Sequence, residues 1–261
     1  MTELNLTPLL PLIETAHKAD DIVWKGALHH IGPVTSVTPL HEGLAGITCC
    51  GLYQLYIGCI GLITLRMSPI MNTNLNRCLA EQIFAYQFDW RYPSTFGITL
   101  TDIDENSDKV AAIRRLVPYF FFDFIEGTNG YFVTSAPLRE IGFIVNLTRH
   151  LCGSVNKEVV DLWLKRVIDR LKKVAPCHTF DQPILQDYPD RASWESAVRV
   201  IHGQPLPIEV LDLRSEPDPV QFASLASRQL SAIDPADNPL LKSPAELIVA
   251  GFISQPYRAT S

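Results

Sequence analysis

The longest uncharged segment of the chain runs from Gly43 to Leu65. As a helix it would be about 34 Å long at 1.5 Å per residue, which is enough to cross a bilayer core of about 30 Å. However, Gln54 and two tyrosines lie near its middle, whereas the tyrosines of a membrane span concentrate at the two interfaces. The pattern therefore favours a helix that is buried on all sides in a protein core, with a break near Gly51.

Amphipathic periodicity predicts further helices downstream. Apolar residues recur every three or four positions over residues 74–90, which is typical of a helix with one buried face. Ser135, followed two residues later by proline, predicts the start of another helix, which we expect to end at Gly153. Residues 156–175 have the clearest helical pattern in the chain, and Pro176 ends it.

The C-terminal part of the chain has a different composition. Residues 176–261 contain 11 of the 19 prolines and 11 acidic residues against 6 basic ones. Short helices are predicted over residues 194–201, with Gly203 as the stop, and from Pro219 onward. The stretch between them, residues 204–219, is predicted to be extended.

A third short helix is predicted near the C-terminus. Ser243 and Glu246 have the spacing of a capping box, and proline occupies the first helical position between them. These patterns together predict a mainly α protein that forms a multi-helix bundle. We expect a helical core domain over residues 1–175 and a proline-rich C-terminal segment over residues 176–261. Short helices and extended straps would make up that segment, packed on the core or on a partner.

Composition narrows the possible functions. Hydrophobic residues make up 47% of the 261 residues and charged residues 19%, against about 25% charged residues in typical soluble domains. A chain this apolar buries a large core or covers some of its surface with a partner. Its net charge of −6 disfavours nucleic-acid binding, which basic domains usually perform. Acidic residues and prolines interrupt the first 14 residues, so no signal peptide is predicted and we expect a cytoplasmic protein with reduced cysteines.

No motif in the sequence predicts catalysis or a cofactor. The chain contains no P-loop, no GxGxxG and no GxSxG. Cys49 and Cys50 are adjacent, whereas a pair of metal-binding cysteines normally has two to four residues between them. No metal is therefore predicted, and isolated histidines are more often surface or hydrogen-bonded core residues. If the fold did gather a metal site, its ligands would come from five residues. These are His29, His30, His41, Glu81 and His150.

Positive charge is concentrated on the helix predicted over residues 156–175. Its acidic residues Asp161 and Asp169 precede Lys165 and Lys173 by four positions, which predicts two ion pairs on the exposed side. The remaining positive charge could dock an acidic partner or the acidic C-terminal segment, or could complement the helix dipole. The residues assigned to partner binding are Lys165, Arg166, Arg170, Lys172 and Lys173.

These observations favour a non-enzymatic accessory protein that binds another protein, with an immunity, adaptor or chaperone-like role. Two alternatives stay open. One is a metal- or cofactor-dependent enzyme, or the partner subunit of one, with its site inside the helical bundle. The other is a membrane-associated component anchored through residues 43–65, which the polar centre of that segment disfavours.

Overall fold

The chain is mainly helical in the computed structural model, as the sequence predicts. The structure describes residues 43–68, 72–94, 113, 117, 135–178, 185–214, 216–253 and 255–258. The α-helices that lie wholly within these ranges are α1 (Cys49–Met67), α2 (Asn74–Tyr86), α3 (Ser135–Val174), α4 (Arg191–His202), α5 (Phe222–Ala232) and α6 (Pro244–Val249). Short 3-10 turns cover Leu185–Asp187, Ile208–Leu211, Pro219–Gln221 and Pro235–Asp237.

Helix α1 is the centre of the core. All of its residues except Thr64 and Leu65 are buried, because α2, α3 and the C-terminal segment pack around it. The predicted break near Gly51 is wrong, since Gly51 lies in the first turn of a continuous helix. The chain turns earlier, at Gly46 (φ +90°), and Ile47 then pairs with Pro176 in an antiparallel bridge. Glycine at residue 46 permits that left-handed backbone conformation at little cost.

Helix α3 runs along α1, and its contacts require a sharp bend. Arg149 and Asp161 form an ion pair of 2.7 Å, although twelve residues of straight helix rise about 18 Å. The carbonyl of Leu151 accepts a hydrogen bond from the Nε of Arg66 at 3.2 Å, close to the bend. The prediction that the helix ends at Gly153 is wrong, because helical backbone continues to Val174. A bend between Arg149 and Asp161 nevertheless divides α3 into two limbs.

The second limb of α3 packs antiparallel to α1. A Cβ atom on Gly58 would lie 2.9 Å from the Trp163 ring, so only glycine allows this close contact between the two helices. At the other end, the amide of Thr48 donates to the carbonyl of Ala175 at 2.9 Å. Trp163 is fully buried and belongs to the apolar core that α1 organises.

Helix α2 ends earlier than the sequence pattern predicts. It stops at Tyr86 rather than near Trp90, and the chain then turns. The carboxylate of Asp89 fixes this turn, because it accepts from the Arg91 amide at 2.9 Å and pairs with the Arg91 guanidinium at 2.7 Å. Trp90 consequently lies outside the helix with 46% of its surface exposed.

The helices of the C-terminal segment begin and end largely where their capping residues predict. Gly203 (φ +78°) ends α4, and the Ser243–Glu246 capping box starts α6 with both of its hydrogen bonds formed. The prediction that residues 204–219 are extended is wrong in part, because Ile208–Leu211 forms a 3-10 turn. That turn buries Ile208, Val210 and Leu211, whereas an alternating strand would bury only every second residue.

Candidate functional site

Four buried amide side chains hold the C-terminal segment against α1 and α2. We call them the amide cluster, which consists of Gln54, Gln82, Gln87 and Asn238. Each bonds to backbone on the far side of the contact, at sequence separations of more than 100 residues. Because a buried backbone group without a partner is costly, these bonds fix the path of the segment.

Around Leu206 the amide cluster satisfies both backbone groups of one residue. The Gln87 Oε1 atom accepts from the amide of Leu206 at 3.0 Å, and the Gln54 Nε2 atom donates to its carbonyl. The Nε2–H of His202 donates to the carbonyl of Gln87 at 3.0 Å. Burial lowers the pKa of His202, so the neutral ring is the favoured form at this contact.

Glu81, one of the five residues named as possible metal ligands, belongs to the same polar contact. Its carboxylate is buried, pairs with Arg77 at 2.7 Å and accepts from the Nδ2 of Asn238 at 2.9 Å. Burial raises the pKa of Glu81, although its hydrogen bond to Asn238 and the charge of Arg77 oppose the shift. Its observed contacts are those of a residue that ties α2 to the C-terminal segment.

Of the other four possible metal ligands, the structure describes one, His150. His150 is half-buried on the first limb of α3. His29, His30 and His41 lie outside the described residues. Among the residues that the structure describes, no three histidine, cysteine, aspartate or glutamate side chains cluster at metal-binding distance.

All six cysteines are buried thiols in the described part of the chain. Burial raises the pKa of Cys59 and of Cys152 to about 12, and it also raises the pKa of Cys49 and of Cys50. Thiols, rather than reactive thiolates, are therefore the stable forms of these four side chains at neutral pH. These side chains act as small apolar residues that let the helices approach one another.

The residues assigned to partner binding divide into two groups. Arg170 is half-buried, and its guanidinium donates to the backbone carbonyls of Val210 and Asp212. These contacts tie α3 to the C-terminal segment, so the donors of Arg170 that make them are used within the fold. The other four residues are exposed, and we call them the basic face. They are Lys165, Arg166, Lys172 and Lys173.

The structure also exposes apolar residues near the C-terminus that the sequence pattern did not single out. We call Trp90, Ile248, Val249 and Ile253 the apolar patch, with exposed fractions of 46%, 61%, 88% and 101%. Their sequence neighbours meet in one contact, in which the Arg91 guanidinium lies 4.7 Å from the Phe252 ring centroid and donates to the carbonyl of Gly251 at 2.8 Å. The sequence carries no local signal for this exposure, because tertiary contacts set which side of the short helix α6 faces inward.

Helix α1 is long and apolar enough to cross a membrane, and it is the one helix of the described residues that meets this test. Within its most apolar window, 89% of the residues are buried inside the protein. Core helices of soluble proteins meet the same test, so the finding is weak support for a membrane span. Comparison of the chain with protein-family models, with curated proteins and with solved structures gives no significant match.

Proposed function

We propose that this protein is a non-enzymatic accessory protein that binds another protein through its apolar patch. The observation that carries the proposal is the exposure of Ile248, Val249 and Ile253, which lie within four residues of Phe252, together with that of Trp90, whose neighbour Arg91 contacts the Phe252 ring. Apolar side chains gathered on a surface are favourable when a partner covers them, and aromatic residues are enriched in the centres of such interfaces.

The surroundings of the apolar patch support this proposal because they hold it in a fixed shape. Tyr92 and Tyr257 pack with ring centroids 4.8 Å apart, and the Tyr92 hydroxyl accepts from the Tyr257 amide at 3.0 Å. The Tyr257 hydroxyl donates to the carbonyl of Lys242 at 2.6 Å, directly before α6. A surface that is already ordered loses less conformational entropy when it binds.

Recovery of the partner from native cells, with the tagged full-length chain as bait, tests the proposal. The variant Val249→Glu should reduce recovery of a specific partner at least about tenfold, because it places a charge in the apolar contact. Val220→Glu is the matched control, since Val220 is equally exposed (90%) but lies on the 3-10 turn Pro219–Gln221 rather than on α6. Direct binding is then measured with the purified partner.

We expect Val249→Glu to recover less of the partner than Val220→Glu does. Both variants should keep the thermal unfolding midpoint of the parent chain. Equal recovery of the partner by both variants would contradict a role for the apolar patch. Recovery of no protein above the level of an untagged control, together with turnover of a small molecule by the purified chain, would contradict the proposed function itself.

A further inference from the structure

The basic face is a group of positive charges without ion-pair partners in the described part of an acidic chain. Lys165, Arg166, Lys172 and Lys173 form no ion pair with any residue that the structure describes. The predicted pairs of Asp161 with Lys165 and of Asp169 with Lys173 are both wrong. Asp161 pairs with Arg149 instead, and Asp169 stays exposed.

The helix dipole accounts for only part of this arrangement. Lys172 and Lys173 lie in the last turn of α3, where a positive charge is favourable. Lys165 and Arg166 lie about two turns before the end of the helix, and the dipole effect fades within the last turn. They lie on the solvent side of a helix that is buried on its other side, so their charges are accessible to a partner.

The order of charges along the helix indicates what kind of surface would fit. Lys165, Asp169 and Lys173 are spaced four residues apart, so they form a line of alternating charge about 12 Å long. Leu162, 48% exposed, lies on the same side at the start of this line. A complementary surface carries carboxylates opposite both lysines, a cation opposite Asp169 and an apolar residue over Leu162.

We infer that the basic face docks an acidic segment of a partner protein. This inference rests on the proposed function, since it names the chemistry of the partner. Asp169 in the middle of the line would repel a nucleic-acid or lipid phosphate, whereas a protein can place a lysine or arginine there.

The chain's own acidic C-terminal segment does not occupy the basic face in the described structure. It meets α3 through Arg170, which binds its backbone carbonyls. Several of its carboxylates are engaged locally: Asp212 pairs with Arg214, and Asp218 and Asp234 accept hydrogen bonds from the amides that start two 3-10 turns. An acidic surface from another protein is therefore the occupant that the charges favour.

Zero-length carbodiimide cross-linking in a native lysate tests the inference, because it joins a lysine amine only to a carboxylate in direct contact. Mass spectrometry should find Lys165, Lys172 or Lys173 joined to aspartate or glutamate of a different protein. With that protein purified, the variant Lys165→Glu/Lys173→Glu should lose at least tenfold in affinity. Lys242→Glu on the C-terminal segment is the control and should bind more strongly than the double variant.

Two cross-linking results would overturn the inference: cross-links from the basic face only to a second copy of this chain, or no cross-link at these lysines. Retention of the full affinity by the double variant would also overturn it. So would binding of the parent chain to phosphatidylserine vesicles or to a single-stranded oligonucleotide, if the double variant abolishes that binding. If Val249→Glu abolishes partner binding while the double variant does not, the docking surface is wrong and the proposed function stands. Absence of any specific protein partner would contradict both the proposed function and the docking inference.

Discussion

The centre and the C-terminal segment of this protein are held together in different ways. Helix α1 is surrounded mostly by apolar side chains and approaches α3 closely at Gly58. The C-terminal segment has short helices and many prolines, and the buried amide cluster fixes its path through hydrogen bonds to its backbone. Apolar packing tolerates volume-conserving changes, whereas a buried amide depends on one specific partner.

This difference suggests why the two candidate binding surfaces lie where they do. Three residues of the apolar patch lie on the C-terminal segment, whose inner side is already fixed by polar contacts, and the fourth, Trp90, follows α2. The basic face is on the outer side of α3, whose inner side packs on α1. In each case the buried side of the element supplies the stability, so its outer side is available for a partner.

The largest expected effect comes from the apolar centre. Trp163→Ala removes a fully buried ring at the contact with Gly58, and such substitutions cost about 3 to 5 kcal/mol. Urea unfolding of the purified chain measures the loss. The neighbouring substitution Leu162→Ala is the control, since Leu162 is half exposed and its replacement should change the free energy of unfolding by only about 0.5 kcal/mol. Equal losses for the two variants would contradict the described orientation of α3.

The next largest loss of stability is expected at Gly203, where the end of α4 contacts Thr48 in the core. Gly203 has φ +78° and ψ −177°, a conformation that only glycine adopts readily, and an added Cβ would lie 2.6 Å from the Thr48 side chain. Backbone strain and this clash together predict that Gly203→Ala costs about 3 kcal/mol. Gly251→Ala has a similar φ (+81°) but open space around it, so it should cost only about 1 kcal/mol. A larger loss for Gly251→Ala than for Gly203→Ala would be inconsistent with this contact.

A smaller effect tests the polar contacts of the C-terminal segment. Asn238 donates to the carbonyl of Cys78 at 2.8 Å and to Glu81 at 2.9 Å, and it accepts from the Leu240 amide at 2.9 Å. Asn238→Ala should cost about 2 kcal/mol, because it leaves buried polar groups without partners. It should also expose the C-terminal segment to limited proteolysis. Gln221→Ala, which removes only a surface hydrogen bond to Asp218, should leave both measurements unchanged.

The smallest effect depends on pH. Burial lowers the pKa of His202 below its value of about 6.5 in the unfolded chain, so the unfolded chain binds the proton more readily. The stability that neutral His202 contributes is therefore complete above about pH 6.5 and is lost as the pH falls through the folded pKa. Unfolding midpoints in urea between pH 7.5 and 5 should decline less steeply for His202→Gln than for the parent chain. His178→Gln, at an exposed residue, should follow the parent.

The sequence predicts the helices better than the way they meet. Local signals were sufficient for the capping box at Ser243 and the stop at Gly203, because both depend on residues within one turn of the helix end. The position of the break near α1 was wrong, since the bridge between Ile47 and Pro176 determines it and joins residues far apart in sequence. Long-range pairing of this kind leaves no periodic signal.

The candidate sites were predicted less well for the same reason. Arg170 looked like its exposed neighbours in the sequence, yet the 3-10 turn at residues 208–211 covers it and uses its donors. Gln54 was recognised as an unusual residue in an apolar segment, but its hydrogen bond to Leu206 spans 152 residues of sequence. The apolar patch depends on which side of a six-residue helix faces inward, and tertiary contacts set that choice.

Amide hydrogen exchange of the purified chain without a partner tests the central claim most directly, namely that the amide cluster holds the C-terminal segment on the helical core. The amides of Leu206, Leu240 and Lys242 are hydrogen-bonded to Gln87, Asn238 and Tyr92. We expect them to exchange with a free energy of opening close to that of the amides in α1. Exchange of these three amides at the rate of an unfolded peptide, while α1 stays protected, would contradict the claim.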